Sequence, residues 1–253
     1  MNQSSNTSPA STPYDLEFFQ RRADASLQSA RIIVPIVLEF IRPRSVIDVG
    51  CGTGTWLKAF AENGVTDIVG LDGDYVPRED FQVDLAYFQP TDLTTLSAPP
   101  RRFDLALCLE VAEHLPFRCS KPLVDYLVKA APYILFSAAI PGQGGTNHIN
   151  EQWPSFWCDL FQQKNYVRLD PIRPRIWRDK NVNICYRQNV YLYVRADLIQ
   201  ESPLLAQEYE LSNIPDLDLI APSIILPLTS LTAMLRALPR YFRRALTRRL
   251  GLS

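Results

Sequence analysis

His114 and His148 are the only histidines in the chain, and imidazole is the side chain that titrates nearest neutrality. Each stands a few residues beyond an apolar, β-type run, 103–109 for His114 and 133–138 for His148. Either one could take a proton from a reacting hydroxyl, and either one could equally cap or pack its own loop. Glu110 and Glu113 could orient or charge-balance His114, while Asn150 and Glu151 neighbour His148. A second group lies earlier. The run 45–49 carries Asp48 at its tip, followed by Gly50, Cys51, Gly52 and Gly54. Alternate glycines let a backbone pass close beneath a ligand. Their spacing is not the G-x-G-x-x-G of a dinucleotide loop, and a carboxylate at the tip would repel a pyrophosphate seated on the following helix. Asp48 suits a ligand with a cationic end and no phosphate. Asp72, at the end of the next apolar run, is placed to accept both hydroxyls of a ribose. Its rival Asp74 lies past the turn at Gly73. Asp84, near the end of a short strand expected over 81–85, could accept from an adenine amino group, with Leu85 against the ring.

These groups need a scaffold that gathers strand ends along one edge. Residues 14–41 have helical apolar spacing, with Pro35 expected to divide or kink the helix. A strand at 45–49, a helix at 55–62 closed by Asn63-Gly64 and a strand at 67–71 follow. Further strands are expected at 81–85, 103–109 and 133–138, with helices at 121–130 and 152–164. Residues 166–169 and 190–194 could pair like a hairpin around the basic loop 173–180. The alternation predicts an α/β, Rossmann-like, doubly wound, mostly parallel seven-stranded sheet with a C-terminal helical appendage. The partition is 1–13 disordered, 14–195 the folded domain, and 196–253 an acidic linker followed by an apolar and basic amphipathic tail.

The stretch from Asp48 to Gly54 resembles the D-x-G-x-G-x-G motif of class I S-adenosylmethionine (SAM)-dependent methyltransferases. Glu110-Val111-Ala112-Glu113-His114 resembles the E-V-x-E-H segment of many small-molecule members, quinone-precursor O-methyltransferases among them. The run 138–154 looks like a bacterial methyltransferase group often associated with surface-polysaccharide genes. The resemblance implies SAM as cofactor, held by Asp48, Gly50, Cys51, Gly52, Gly54, Asp72, Asp84, Leu85 and Glu110. It implies methyl transfer, expected on oxygen, to a small-molecule or glycan acceptor, with His114 and His148 as the catalytic candidates. The alternative is a catalytically silent module of the same fold that associates with a partner enzyme or a membrane.

Other features narrow the field. A net charge of −1 gives no overall electrostatic footprint for nucleic acid. Five scattered cysteines without a C-x-x-C pair argue against a zinc site, and no obligate metal is expected. They fit a reducing, cytoplasmic setting. The Ser/Thr/Asn-rich start lacks the basic and apolar regions of a signal peptide. Arg236, Arg240, Arg243, Arg244, Arg248 and Arg249, interleaved with apolar residues, suggest a basic helix able to touch an anionic membrane face or to dock on the domain. Arg173, Arg175, Arg178 and Lys180 could grip an anionic acceptor or form a solvated loop. Trp153, Trp157 and Trp177 could line an acceptor pocket or face the core. Tyr14, Phe18 and Phe19 could form a lid.

Overall fold

The computed structural model describes the backbone of residues 16–212, 219–221 and 224. The chain divides into two units, 1–215 and 216–253, and the sheet lies in the first. Seven strands, β1 (Ser45–Val49), β2 (Asp67–Asp72), β3 (Phe88–Pro90), β4 (Leu105–Leu109), β5 (Tyr133–Ser137), β6 (Tyr166–Leu169) and β7 (Tyr191–Arg195), form one sheet in the order 3-2-1-4-5-7-6. β7 runs antiparallel to both β5 and β6, and the other pairings are parallel. The expected fold class is therefore observed, and 166–169 pairs with the last strand as anticipated.

The strands read as nearly unbroken apolar runs because both faces are covered. Side chains alternate across each strand. Val46, Leu105, Leu107, Leu135, Leu192 and Val194 face one apolar layer, with Ile33, Val34, Leu57 and Phe60 from α1 (Leu16–Phe40) and α2 (Thr55–Glu62). Ile47, Ala106, Cys108, Ile134, Phe136, Tyr191 and Tyr193 face the other, with Leu123 and Leu127 of α3 (Ser120–Ala130) and Trp157 and Phe161 of α4 (Pro154–Gln162).

Four expectations need correction. Residues 81–85 are not a strand: the Asp84 carboxylate accepts the Ala86 N–H at 2.8 Å, which winds 85–87 into a 3-10 turn and delays β3 to Phe88. Pro35 does not divide α1, which runs unbroken from Leu16 to Phe40. The buried Ile33, Val34 and Val37 anchor that segment and offset the lost hydrogen bond. The segment 173–180 is no simple loop, because α5 (Arg173–Ile176) opens it and α6 (Ile184–Asn189) follows. Residues 196–212, assigned to a linker, are ordered: a 3-10 segment over Ala196–Glu201 leads into α7 (Pro203–Ser212). Ser212 ties α7 to β6, accepting from Arg168 Nη2 through its carbonyl and from the Asp170 N–H through Oγ, both at 2.8 Å. The lid residues and the arginine-rich tail lie outside the described side chains.

Phe136 is the centre of the second layer, with ring contacts to Trp157 (5.1 Å), Phe161 (5.4 Å) and Tyr193 (6.2 Å). Phe136→Ala is expected to lower unfolding stability by about 3–5 kcal/mol, the usual cost of emptying a packed aromatic site. Urea denaturation measures it, and a loss below about 1 kcal/mol would contradict this packing.

Candidate active site

The parallel strands end together, so the residues after β1, β2, β4 and β5 share one edge. β1 hands the chain to the glycine loop. Gly50, Gly52 and Gly54 have φ of 87°, 51° and 77°, a region that side-chain-bearing residues rarely enter. At Gly50 a methyl group would meet Val111 at 2.3 Å, so the loop packs directly on the turn that follows β4. Gly52 has open space where its side chain would be, and its N–H points at Asp72 Oδ2, 2.7 Å away.

Asp48 is buried, and its Oδ2 has no hydrogen-bond donor. Burial, together with the neighbouring Asp72 charge, pushes its pKa up to about 7. Asp72 is better satisfied. Its Oδ1 accepts from the Gly73 N–H at 2.7 Å and from the Tyr75 hydroxyl at 2.6 Å. Tyr75 is largely exposed, and its ring lies over Gly73. Cys51 is buried against Gly70, and burial pushes its thiol well up. Its N–H, like that of Gly50, donates to the Leu71 carbonyl. Asp84 sits on the turn before β3 rather than at a strand end, with Leu85 half exposed beside it. This stretch lies near the glycine loop: the Gln82 N–H donates to the Thr53 carbonyl at 2.8 Å.

The edge beyond β4 and β5 holds the imidazoles. His114 and His148 meet edge to face with ring centroids 4.9 Å apart. His148 Nδ1 lies 3.3 Å from Glu151 Oε1. The Glu151 carboxylate also accepts the Gly142 and Gly144 N–H groups at 3.0 Å each, so the loop after β5 winds around it. Glu113 is fully buried, and burial beside Glu110 holds its carboxyl well above the usual range. One ligating atom from each of Glu113, His114 and His148 falls within 4.8 Å of the others, a grouping that could hold a divalent cation.

Glu110 follows β4 directly. Its backbone has φ 57°, a conformation uncommon outside glycine. Gln143 Nε2 donates to its Oε2 at 3.3 Å and Asn189 Nδ2 to its Oε1 at 3.1 Å. Gln143 and Asn189 were not anticipated. Asn189 reaches this edge because antiparallel β7 begins there, with Tyr191 opposite Phe136. Nearby, the Tyr186 hydroxyl lies 3.1 Å from Ser26 Oγ and 3.3 Å from Trp56 Nε1, tying α6 to α1 and α2.

Other candidates are placed elsewhere. Arg173 is buried on Asp170 and the Gln188 carbonyl, and Arg175 pairs with Glu39. Trp157 is core and Trp153 is exposed. An open groove beside α1, lined by Asp24, Leu27, Gln28, Arg31, Ile32 and Asn181, shares no residue with either group.

Residues 19–123 match the model of a methyltransferase domain. The ubiquinone biosynthesis O-methyltransferase of Serratia proteamaculans is 32% identical over 120 residues, 42% of this chain and 49% of that one. Its counterpart from Pseudomonas entomophila is 34% identical over 102 residues, 37% and 44% of the two chains. The chain thus spans about half the length of the curated relatives it matches. Among solved structures, the sugar N-methyltransferase of Streptoalloteichus sp. superposes with a TM-score of 0.54 at 14% identity, covering 77% of this chain and 98% of that one. The magnesium protoporphyrin IX methyltransferase of Synechocystis, with bound SAM, gives 0.50 at 18% identity, covering 73% and 86%. These likenesses establish a shared fold.

The raised Asp48 pKa has a consequence for the free protein. Between the ordinary value of 3.8 and about 7, the native carboxyl binds a proton that the unfolded chain has lost. Stability therefore falls as pH rises through this window, and the penalty is complete above it. Asp48→Asn is expected to melt at a higher temperature relative to the parent at pH 8 than at pH 5. A melting difference that does not change with pH would contradict the burial cost.

Proposed function

We propose that this chain, whose residues 19–123 match the model of a methyltransferase domain, binds SAM as class I methyltransferases do and transfers its methyl group to an oxygen of a small-molecule acceptor. The observation that carries the transfer reading is the His114–His148 ring contact at the edge of the sheet that also holds the glycine loop. When bound, SAM supplies a methyl group already activated by its sulfonium.

The residues fit such a ligand. The glycine loop leaves backbone room, and the unpaired Asp48 oxygen offers negative charge to an ammonium, directly or through a water. Asp72 accepts the ribose hydroxyls once the Tyr75 hydroxyl turns away. Asp84 gives Oδ1 to Ala86, which leaves its other oxygen for an adenine amino group, with Leu85 against the ring. Glu110, held by two neutral amides, stands between the cofactor side and the acceptor side.

In-line methyl transfer needs an oriented acceptor and a place for its proton. His148 takes that proton. Glu151, 3.3 Å from Nδ1, balances the imidazolium that results, and the two glycine N–H groups keep Glu151 in position. His114, edge-on to His148, positions the acceptor or shares the proton. The ubiquinone O-methyltransferase likeness supports oxygen as the target atom, and the sugar N-methyltransferase superposition bears only on the fold. No helix among the described residues is long and apolar enough to cross a membrane. The basic tail remains our candidate for peripheral contact with an anionic bilayer.

With labelled SAM and a panel of hydroxylated acceptors, His148→Ala is expected to lower the transfer rate by about 10²–10⁴-fold while SAM affinity stays level. Asp72→Ala is expected to remove most SAM binding by calorimetry. Full transfer by both His148→Ala and His114→Ala would overturn the base assignment, and unchanged affinity in Asp72→Ala would overturn the ribose assignment.

A further inference from the structure

The acceptor side of the edge is built from hydrogen-bond acceptors. Asn189 is 3% exposed. Its amide nitrogen is spent on Glu110 and on Gln143 Oε1, 3.1 and 3.0 Å away, while its Oδ1 is buried and unpaired. The donors that Glu110 receives are the neutral amides of Gln143 and Asn189. Glu110 and Glu113 lie on the turn after β4, and Glu113 falls within 4.8 Å of ligating atoms on both imidazoles, so this turn adjoins the proposed base. Of the cations expected to meet an anionic acceptor, Arg173 pairs with Asp170 and Arg175 with Glu39.

An unpaired buried acceptor is costly unless a ligand brings a donor to it, and an anion placed beside the Glu110 carboxylate would add repulsion to that cost. We propose that the acceptor is a neutral or cationic molecule presenting several hydrogen-bond donors, a polyol or an amine, and that carboxylates and phosphates are excluded. This rests on the methyl-transfer reading. It makes Asn189 an acceptor-binding residue. It also assigns Gln143 a positioning role, because its side-chain oxygen and amide hold Asn189 and Glu110 in register.

The test uses the full chain saturated with S-adenosylhomocysteine, so that binding is read without turnover. Calorimetry compares inositol and methyl glucoside (polyols), glucosamine (an amine), and glucuronate and glucose 6-phosphate (anions of similar size). A polyol or the amine is expected to bind at least about tenfold more tightly than either anion, the ratio a difference of about 1.4 kcal/mol gives. Glu110→Gln is expected to narrow that gap, and Asn189→Leu to weaken the donor-rich ligands alone. If Glu110→Gln fails to fold, the wild-type panel and Asn189→Leu still decide. An anion bound as tightly as the polyols and the amine, no binding by polyol or amine, or Mn²⁺ alone occupying the site and displacing them would overturn the proposal. Failure of S-adenosylhomocysteine itself to bind would instead bring down the methyl-transfer reading beneath it.

Discussion

Two carboxylates buried side by side at the tips of adjacent strands set the terms for the glycine loop. Asp48 and Asp72 face the same short turn, where Asp72 accepts three hydrogen bonds and Asp48 Oδ2 accepts none. The unsatisfied one stays near the threshold of ionisation. A ligand that brings positive charge relieves the repulsion, and one that brings phosphate worsens it. The choice between a sulfonium nucleoside and a dinucleotide is thus made electrostatically as well as sterically.

The acceptor side repeats the same physics with different partners. Glu110 and Glu113 are a second close pair of acids: neutral amides donate to Glu110, while burial beside it holds the Glu113 carboxyl well above the usual range. Val111 joins the two halves by packing on Gly50, which brings the cofactor loop against the turn that carries Glu113 and His114. A bulkier residue at Gly50 would push these halves apart as well as strain the loop.

The sheet was legible in the sequence because apolar runs of strand length alternate with helical spacing, and both signals come from burial. The glycine loop and its flanking acids were legible because they depend on local spacing. What could not be read depends on distant partners. Asn189 enters the edge only because β7 is antiparallel, a matter of strand pairing. Asp84 reads as a strand residue until its side chain is seen to cap Ala86. The last helix hides in an acidic stretch because its anchor is the Ser212 carbonyl and hydroxyl, and most of its surface is solvated.

The contact between the Tyr75 hydroxyl and Asp72 bears on how long a nucleoside stays. The tyrosine offers the carboxylate a 2.6 Å hydrogen bond of its own. On the proposed assignment of Asp72 to the ribose, an arriving sugar exchanges one hydroxyl for another, so its net gain is smaller than the contact alone would suggest. The discount falls equally on the methylated cofactor and on its spent form, because the ribose is the same in both. Tyr75 therefore leaves the preference between them untouched and shortens the residence of each. Exchange after turnover is the step that such an arrangement favours.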